Sequence, residues 1–316
     1  MNRLGLVAIS LAFLGASGCA SYPLWDGVET VPAYAKKAGI TQTEITLPLN
    51  DEKGMRLVLV PAGTFLMGSS AEELEALRRE LLAAGVTPDA AATNFRDEAP
   101  QHEVTISRPF FIGALVVTRA QWAAVMETDP ETDYQWSDPD LPADFISWRQ
   151  ANQFCQKLSQ KSGRIVRLPT EAEWEYAFRA GARTRFCYGD DPGYTHLADY
   201  AWFQKWKKDS QVPTPPMQKA GQKKPNRWGL YDVHGNSWQL CSDWYGKDYY
   251  RSSPKVDPNG PLFGTVHVHR GGASYNPGWS MRSADRGWNK WSSDDKVSHS
   301  GFRVVVELSR SNPPSN

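Results

Sequence analysis

Three stretches of the chain carry one helix-initiation pattern, a Ser or Thr followed three residues later by Gln or Glu. They begin at Thr118, Ser147 and Thr170, and each leads into a run with apolar residues at helical spacing. In such a capping box each side chain accepts a hydrogen bond from the other residue's backbone N–H. The pattern therefore predicts three helices, and Gly163 and Gly181 are expected to end the second and third of them.

A fourth start, Ser70 with Glu73, opens a run that should end at Gly85, and its many charges indicate a peripheral helix. Upstream, residues 55–69 hold two apolar runs around a Pro-Ala-Gly turn, which predicts a β-hairpin. Residues 102–118 predict further strands. Beyond Gly181 the chain consists of short apolar pieces between turn-forming residues, so this half is expected to be rich in loops.

Composition sets limits on the class of protein. Lys plus Arg and Asp plus Glu number 35 each, so the formal net charge is zero. A nucleic-acid-binding surface needs a basic excess, so no nucleic-acid partner is expected. Aromatic residues make up 12% of the chain, with 13 Trp, and this content suits either a core of large side chains or an interface.

The N-terminus has the features of a secretory signal. One arginine precedes an apolar run, Leu4 to Leu14, that is too short to span a bilayer. Small residues then lead directly to Cys19, as in a bacterial lipobox. Residues 1–18 are therefore predicted to be a lipoprotein signal peptide, with lipidation of Cys19; an ordinary signal peptide with an incidental cysteine is the alternative. Because Ala20 is not Asp, the expected location is the outer membrane, facing the periplasm.

These boundaries divide the chain into four parts. Residues 19–50 are predicted to be a lipidated tether, residues 51–309 a single domain, and residues 310–316 a disordered tail. The other cysteines, Cys155, Cys187 and Cys241, allow one disulfide at most and leave one thiol over. No CxxC pair is present, which argues against a cysteine-only zinc site.

Seven motifs occur in a fixed order between Met55 and Val305. They read VPAGTFLMGS, VTRAQW, FISWRQANQFC, RLPTEAEWEYAFRAG, NRWGLYDVHGNSWQLCSDWY, HRGGAS and GFRVV. Together they resemble the formylglycine-generating enzyme, or sulfatase-modifying factor, family. The resemblance implies one α+β domain with little regular secondary structure, related to the C-type lectin-like core. It also implies that structural calcium is possible, since some members bind it.

The resemblance raises the question of copper. Oxidase members hold Cu(I) with two cysteines that follow an RGGS motif, and Cu(I) prefers thiolate ligands. In this chain the first of those positions falls on Asn276 and the second near Gly278 or Met281. The serine expected after the two glycines is Ala273, with Ser274 beside it. Copper is therefore not expected, and neither is formylglycine generation by the family mechanism.

The same stretch supplies a candidate groove with aromatic and hydrogen-bonding groups. Such groups suit recognition of a peptide or small ligand, although they would equally plug an unused cleft. The candidate residues are Arg270, Ala273, Ser274, Tyr275, Asn276, Trp279, Arg282, Asp285 and Arg286. Asp285 is either a general base or, more in keeping with its flanking arginines, a structural ion-pair partner.

Histidines offer further candidates for chemistry. His267 and His269 would share one face of a strand, but two ligands are too few for a metal site without a third. His234 is expected to be structural. The calcium-binding members of the family suggest a first site at Asp232, Gly235, Ser237 and Gln239 and a second at Asp199 and Tyr200. These groups would otherwise cap turns without an ion.

The favoured function is a lipid-anchored periplasmic binding or regulatory protein with a protein or peptide partner in the envelope. It resembles a cysteine-less family member that helps switch on the threonine kinase of type VI secretion. One alternative is an enzyme of altered chemistry, as in the relative that participates in pyoverdine chromophore maturation. A purely structural lipoprotein is the other. Contact with the membrane is expected through the lipid anchor only.

Overall fold

The structure is a computed structural model that describes residues 21–93, 95–130, 138–206, 216–288, 296 and 299–308. The predicted signal peptide, Cys19 and the C-terminal tail lie outside these residues. In the described part of the chain, no helix has the length and apolar character needed to cross a bilayer.

Seven α-helices and thirteen short strands alternate along the described residues, with long loops between them. The helices are α1 Val31–Lys37, α2 Ala71–Ala83, α3 Pro88–Thr93, α4 Arg119–Met126, α5 Trp148–Ser162, α6 Glu171–Arg179 and α7 Leu197–Tyr200. The strands of the first half are β1 Glu44–Pro48, β2 Gly54–Val60, β3 Gly63–Met67, β4 His102–Ile106, β5 Phe110–Gly113 and β6 Val166–Arg167. The remaining strands are β7 Ala201–Trp202, β8 His234–Gly235, β9 Trp238–Trp244, β10 His267–Arg270, β11 Arg286–Trp288, β12 Ser300–Phe302 and β13 Val305–Glu307.

The strands form two main sheets and two small ones. A five-stranded antiparallel sheet has the order β1-β2-β5-β13-β6, and a four-stranded sheet has the order β11-β10-β9-β12 with β9 and β12 parallel. The pairs β3-β4 and β7-β8 stand apart. This mixed, loop-rich architecture confirms the predicted α+β class.

Helix α6 lies at the centre of the fold. All nine of its residues are buried, and it packs against β3, β4, β9 and β10. The ring of Trp174 stacks on that of Phe178 with 3.7 Å between centroids. A helix buried on every side must satisfy its polar side chains internally. This requirement explains why Glu171, Glu173 and Glu175 all pair with arginines.

The three predicted capping boxes are confirmed. Thr118, Ser147 and Thr170 each accept from the backbone N–H three residues on, and the Gln or Glu there accepts in return. Gly163 and Gly181 both have positive φ, +66° and +88°, as helix-terminating glycines require. The cap of α2 is only half of a box, because Ser70 accepts from Glu73 while the Glu73 carboxylate turns towards Arg282.

The predicted hairpin within residues 55–69 is wrong. Strand β2 pairs with β1 and β5, whereas β3 pairs with β4, so the two runs belong to different sheets. The Pro61-Ala62 link carries the chain from one sheet to the next instead of reversing it. Each run still finds antiparallel partners, but they come from elsewhere in the chain.

The domain also begins earlier than Asp51, which corrects the predicted tether. Trp25, Tyr34, Leu47 and Leu49 are buried in the main core, and β1 is an edge strand of the five-stranded sheet. The Tyr34 hydroxyl accepts a hydrogen bond from Ala62 N at 3.1 Å. These few apolar residues are spread through a polar segment, so they form no periodic pattern that would reveal their burial.

Candidate functional site

Two glycines at the end of β10 shape the loop that holds the candidate residues. Gly271 and Gly272 have φ of +94° and +74°, values that glycine adopts without strain. A Cβ on Gly272 would lie 2.3 Å from Met281 Cε and 2.7 Å from Ser280 O. The glycine pair therefore lets residues 273–281 fold back over the strand end.

Asn276 closes that loop on itself. Its Oδ1 accepts a hydrogen bond from Ala273 N at 2.9 Å, and its own N–H donates to Ala273 O at 2.9 Å. Asn276 O accepts in turn from Gln204 N at 2.9 Å, which ties the loop to the segment after β7. The side chain at the first candidate copper position is therefore part of the turn that shapes the loop.

The other end of the loop is apolar. Met281 is fully buried in a small cluster with Phe186, Leu197 and Ala201. A Cβ on Gly278 would lie 2.8 Å from the ring of Tyr194, so this position is also tightly packed. Neither candidate for the second copper position offers a ligand to solvent.

Three of the nine predicted groove residues are partly exposed: Tyr275, Asn276 and Trp279. The ring of Trp279 meets that of Trp206 edge to face at 5.2 Å. Trp206 is 49% exposed and donates from Nε1 to Ala84 O at 3.2 Å, beside the C-terminus of α2. We call Trp206 and Trp279 the aromatic surface.

The other six predicted groove residues are buried, which corrects the prediction that they line a groove. They are Arg270, Ala273, Ser274, Arg282, Asp285 and Arg286. The arginines turn inward because buried carboxylates neutralise them. Arg270 binds Glu175, and Arg286 binds both oxygens of Glu171 at 2.7 and 3.0 Å. Arg282 binds both oxygens of Glu98.

Asp285 lies among these buried arginine–glutamate ion pairs, which we call the arginine lattice. Its Oδ1 is 3.5 Å from Arg282 Nη2, while Arg286 points away towards Glu171. Burial, together with the nearby charge of Glu98, raises the pKa of Asp285 well above its usual value. Only 4% of the residue is exposed, so the carboxyl faces the buried arginines and not solvent.

The strand histidines are both buried. A bulge separates His267 from His269, and His267 stacks between Trp148 and Trp244 at 3.8 Å from each. Burial lowers the pKa of both histidines to about 4, so they are neutral at pH 7. Within the described residues, no group of three or more His, Cys, Asp and Glu side chains has the geometry to hold a metal ion.

His234 has contacts that suit the structural role predicted for it. Its Nε2 accepts from Cys187 N at 3.2 Å, and its Nδ1 lies 2.7 Å from Met281 O. The acceptor role of Nε2 places the ring proton on Nδ1, which then donates to Met281. His234 thus links residues 186–188 to the end of the candidate loop.

The first candidate calcium site does not fit the ion. Gln239 Oε1 already accepts from Trp174 Nε1 at 3.1 Å and from Arg303 Nε at 2.8 Å. Gly235 O accepts from Ser237 N, and Asp232 Oδ2 accepts from Gly221 N. Calcium takes six to eight oxygens. One buried oxygen, Asp232 Oδ1, has no partner, and the Arg303 guanidinium supplies a positive charge beside it.

The second candidate calcium site holds lysines. The Asp199 carboxylate is 2.8 Å from Lys224 Nζ, and Lys223 Nζ donates to Ala198 O at 2.6 Å. Asp199 O accepts from Lys224 N, and the ring of Tyr200 stacks on that of Tyr188. Two ammonium groups therefore occupy the surroundings in which a divalent cation would have to bind.

All three described cysteines are free thiols, and none lies in the 273–281 loop. Cys155 and Cys241 are buried in the main core, and Cys187 is partly exposed. Burial raises the pKa of the Cys155 and Cys187 thiols to about 12. These cysteines are protonated at neutral pH, which makes them poor ligands and nucleophiles.

Sequence reasoning missed two residues that matter at this site. The sequence offered a signal for Trp206, because a tryptophan in a polar stretch has no adjacent apolar residues that would predict its burial in the core. Glu98 gave no signal, because its partner Arg282 is 184 residues away. Only the tertiary fold brings that pair together.

Comparisons with known proteins agree with the fold. The sequence model of the sulfatase-modifying factor enzyme 1-like domain matches residues 44–308. The formylglycine-generating enzyme of Thermomonospora curvata is 28% identical, over 82% of this chain and 95% of that protein. The Streptomyces coelicolor formylglycine-generating enzyme is 37% identical over 43% of this chain, a match that spans 42% of that relative.

Among solved structures, PvdO from Pseudomonas aeruginosa superposes with a TM-score of 0.67 at 25% identity. The superposition covers 85% of this chain and all of that one. The residues matched by the family model, 44–308, include every strand of both main sheets. The chain belongs to the sulfatase-modifying factor enzyme 1-like domain family.

Proposed function

We propose that this chain is a lipid-anchored envelope protein that uses the family scaffold to bind a partner, without copper-thiol oxidase chemistry. The observation that carries the proposal is the role of Asn276, whose amide closes the Ala273–Asn276 turn. A side chain used in this way holds the loop in one shape. It is not available to bind a metal or a substrate thiol.

The donor set argues in the same direction. Two thiolates are needed to hold Cu(I) as the oxidases do. The loop offers an amide, a glycine and a thioether at positions 276, 278 and 281. The thioether of Met281 lies in an apolar cluster, and the free thiols are elsewhere. These residues do not fit copper.

The aromatic surface is the part of the site best suited to recognition. Tryptophan contributes strongly to protein interfaces because it buries a large rigid area and keeps one polar group for hydrogen bonding. Trp279 belongs to the same loop as the partly exposed Tyr275 and Asn276, and Gln204, two residues before Trp206, donates to Asn276 O. The buried arginine lattice beneath holds this loop rigid, which lowers the entropy cost of binding. We propose a protein or peptide of the envelope as the partner.

A quantitative capture experiment tests the proposal. The lipoprotein is compared with an Asn276→Trp variant, which opens the Ala273–Asn276 turn and places a bulky ring at the loop, and with an Ile165→Trp variant at a distant position that is 61% exposed. An envelope protein retained by wild type and Ile165→Trp but lost from Asn276→Trp supports a recognition site. Equal retention by all three proteins contradicts it.

An enzyme of altered chemistry is the second candidate. The likeness to PvdO across the whole of that chain favours it, since the two proteins share the scaffold around the loop. Oxygen uptake with phenolic and thiol compounds, measured with and without added metal ions, tests this candidate. Uptake that saturates with one compound and is lost in Asn276→Trp would favour the enzyme over the binding protein.

A further inference from the structure

The most exposed large apolar side chains of the described residues are adjacent. Leu262 is 93% exposed and Phe263 is 84% exposed, at the tip of the loop between the Tyr249–Arg251 turn and β10. Pro261 and Gly264 flank them, and both ends of the tip are close-packed on the last residue of β9 and the chain directly after it. A Cβ on Gly264 would lie 2.9 Å from Trp244 Cβ, and one on Gly246 would lie 2.8 Å from Pro261 Cγ. The base of the loop is fixed, and its two apolar side chains project.

A second set of exposed apolar residues shares one sheet face. Trp25 pairs with Gly63, β3 pairs with β4, and Thr105 pairs with Val256, which makes four adjacent segments. Residues paired across a sheet point to the same side, and alternate residues of a strand do so as well. Leu24, Leu66 and Val256 therefore lie on the outer side, where they are 46%, 41% and 54% exposed. Thr64, Thr105 and the exposed Glu103 share this side with them. We call this the outer face.

The chain enters the domain at the edge of the outer face. The predicted lipidated residue, Cys19, lies five positions before Leu24. Five residues span at most about 17 Å. A bilayer that holds acyl chains on Cys19 is therefore close to Leu24, and the outer face lies next to it.

Charge near the tip is compatible with anionic lipid. Lys247 and Lys255 are exposed on the same connection as Leu262 and Phe263. Asp248 pairs with Arg251, and Asp257 accepts from Ser107, so these three basic and two acidic side chains leave the connection with one net positive charge. Basic residues beside an apolar insertion are typical of surfaces that bind membranes peripherally.

We propose that the outer face and the Leu262–Phe263 tip form the bilayer-facing side of the protein, with the tip inserted at the boundary between headgroups and acyl chains. The partner is a lipid surface. The proposal rests on the lipid anchoring in the proposed function and adds a second, side-chain contact that fixes the orientation of the domain. An anchored domain held at two points presents one side to the periplasm.

Site-directed spin labelling tests this orientation. The lipidated full-length protein is reconstituted into phosphatidylethanolamine–phosphatidylglycerol vesicles, with a nitroxide at Phe263→Cys or at the control position Ile165→Cys. Protein without an introduced cysteine gives the background from the three native thiols. We expect the nitroxide at 263 to be several-fold less accessible to a water-soluble nickel complex than that at 165, and more accessible to oxygen.

The outcomes separate the two proposals. Protein that floats with vesicles while the labels at 263 and 165 are equally accessible to nickel overturns the insertion but leaves the anchor intact. Protein that does not float with vesicles overturns the anchoring itself. Protection of the label at 263 that persists in detergent-free solution without vesicles shows self-association of the tip, and it also contradicts membrane insertion.

Discussion

Arg282 and Glu98 form a two-point ion pair that is closed off from solvent. Nη1 lies 2.8 Å from Oε2 and Nη2 lies 2.7 Å from Oε1, and both side chains are 0% exposed. The pair ties the end of the candidate loop to the turn that follows α3. Glu73 on α2 also reaches Arg282, at 3.4 Å. An arginine that would suggest ligand binding in the sequence thus holds the site together from inside.

Loss of Arg282 should be costly. Arg282→Ala leaves the Glu98 carboxylate buried without its partner, and breaking a buried pair in this way typically costs about 3–5 kcal/mol. We expect a fall of that size in the free energy of unfolding, measured by urea denaturation. Replacing both residues with leucine should cost less than the single change, because the buried Glu98 charge is then removed together with its partner.

The exposed pair Arg78–Glu75 provides the matched control. Its side chains are 42% and 53% exposed, and surface pairs contribute about 0–1 kcal/mol. Arg78→Ala should therefore change the unfolding free energy very little. If Arg282→Ala and Arg78→Ala lowered the unfolding free energy equally little, the buried ion pairs would not stabilise the loop.

Because of Asp243, the free energy of unfolding should fall as the pH rises from 7 to 8. Burial, and next the charge of Glu171, raises the pKa of Asp243 to about 8. The folded protein keeps this proton up to about pH 8, whereas the unfolded chain releases it near 3.8, the ordinary pKa of an aspartate. The folded state thus holds one more proton between these two pKa values, so stability falls as the pH rises towards 8 and levels off above it.

Asp243→Asn isolates that effect. The amide keeps an oxygen to accept from Glu171 N, now 3.0 Å from Asp243 Oδ2, but it cannot ionise. We expect the decline in unfolding free energy between pH 7 and 8, at most about 1.4 kcal/mol per pH unit, to flatten in this variant. The buried histidines do not contribute to the slope in this pH range, because they titrate below pH 6.5. An unchanged slope would show that Asp243 is ionised in the folded protein.

Calcium removal should have no effect on thermal stability. Lys224 already binds the carboxylate of Asp199, and Lys223 already donates to the carbonyl oxygen of Ala198. Arg303 takes the same role near Gln239. We expect melting temperatures in excess calcium and in excess chelator to agree within about 1 °C, since a ligand stabilises only a state that binds it. A clear rise with added calcium would contradict the lysine assignment.

Local signals in the sequence were sufficient for the helices. Thr118, Ser147 and Thr170 each set a helix start through bonds that span three residues, so the pattern and the outcome lie in the same short segment. The family motifs predicted the fold class of the whole domain. The β2–β3 prediction failed because a turn-like Pro-Ala-Gly says nothing about which strands pair.

Long-range contacts account for what the sequence left open. Arg270 pairs with Glu175, which is 95 residues away, and Arg286 pairs with Glu171 at a separation of 115. Nothing near Arg270 or Arg286 reveals that these side chains point inward. Trp25 and Tyr34 were missed for the related reason that isolated apolar residues acquire a core only when distant strands supply it.

The central claim, a family scaffold without copper-thiol oxidation, is tested most directly by a turnover assay. The purified protein is supplied with Cu(I), oxygen and a cysteine-containing peptide, and the peptide is analysed for an aldehyde by mass spectrometry. The Asn276 turn and the buried Met281 predict no aldehyde above the level given by copper alone. Aldehyde formed over many turnovers, and lost when Cys187 is replaced by serine, would contradict the account and place the reacting thiol outside the loop.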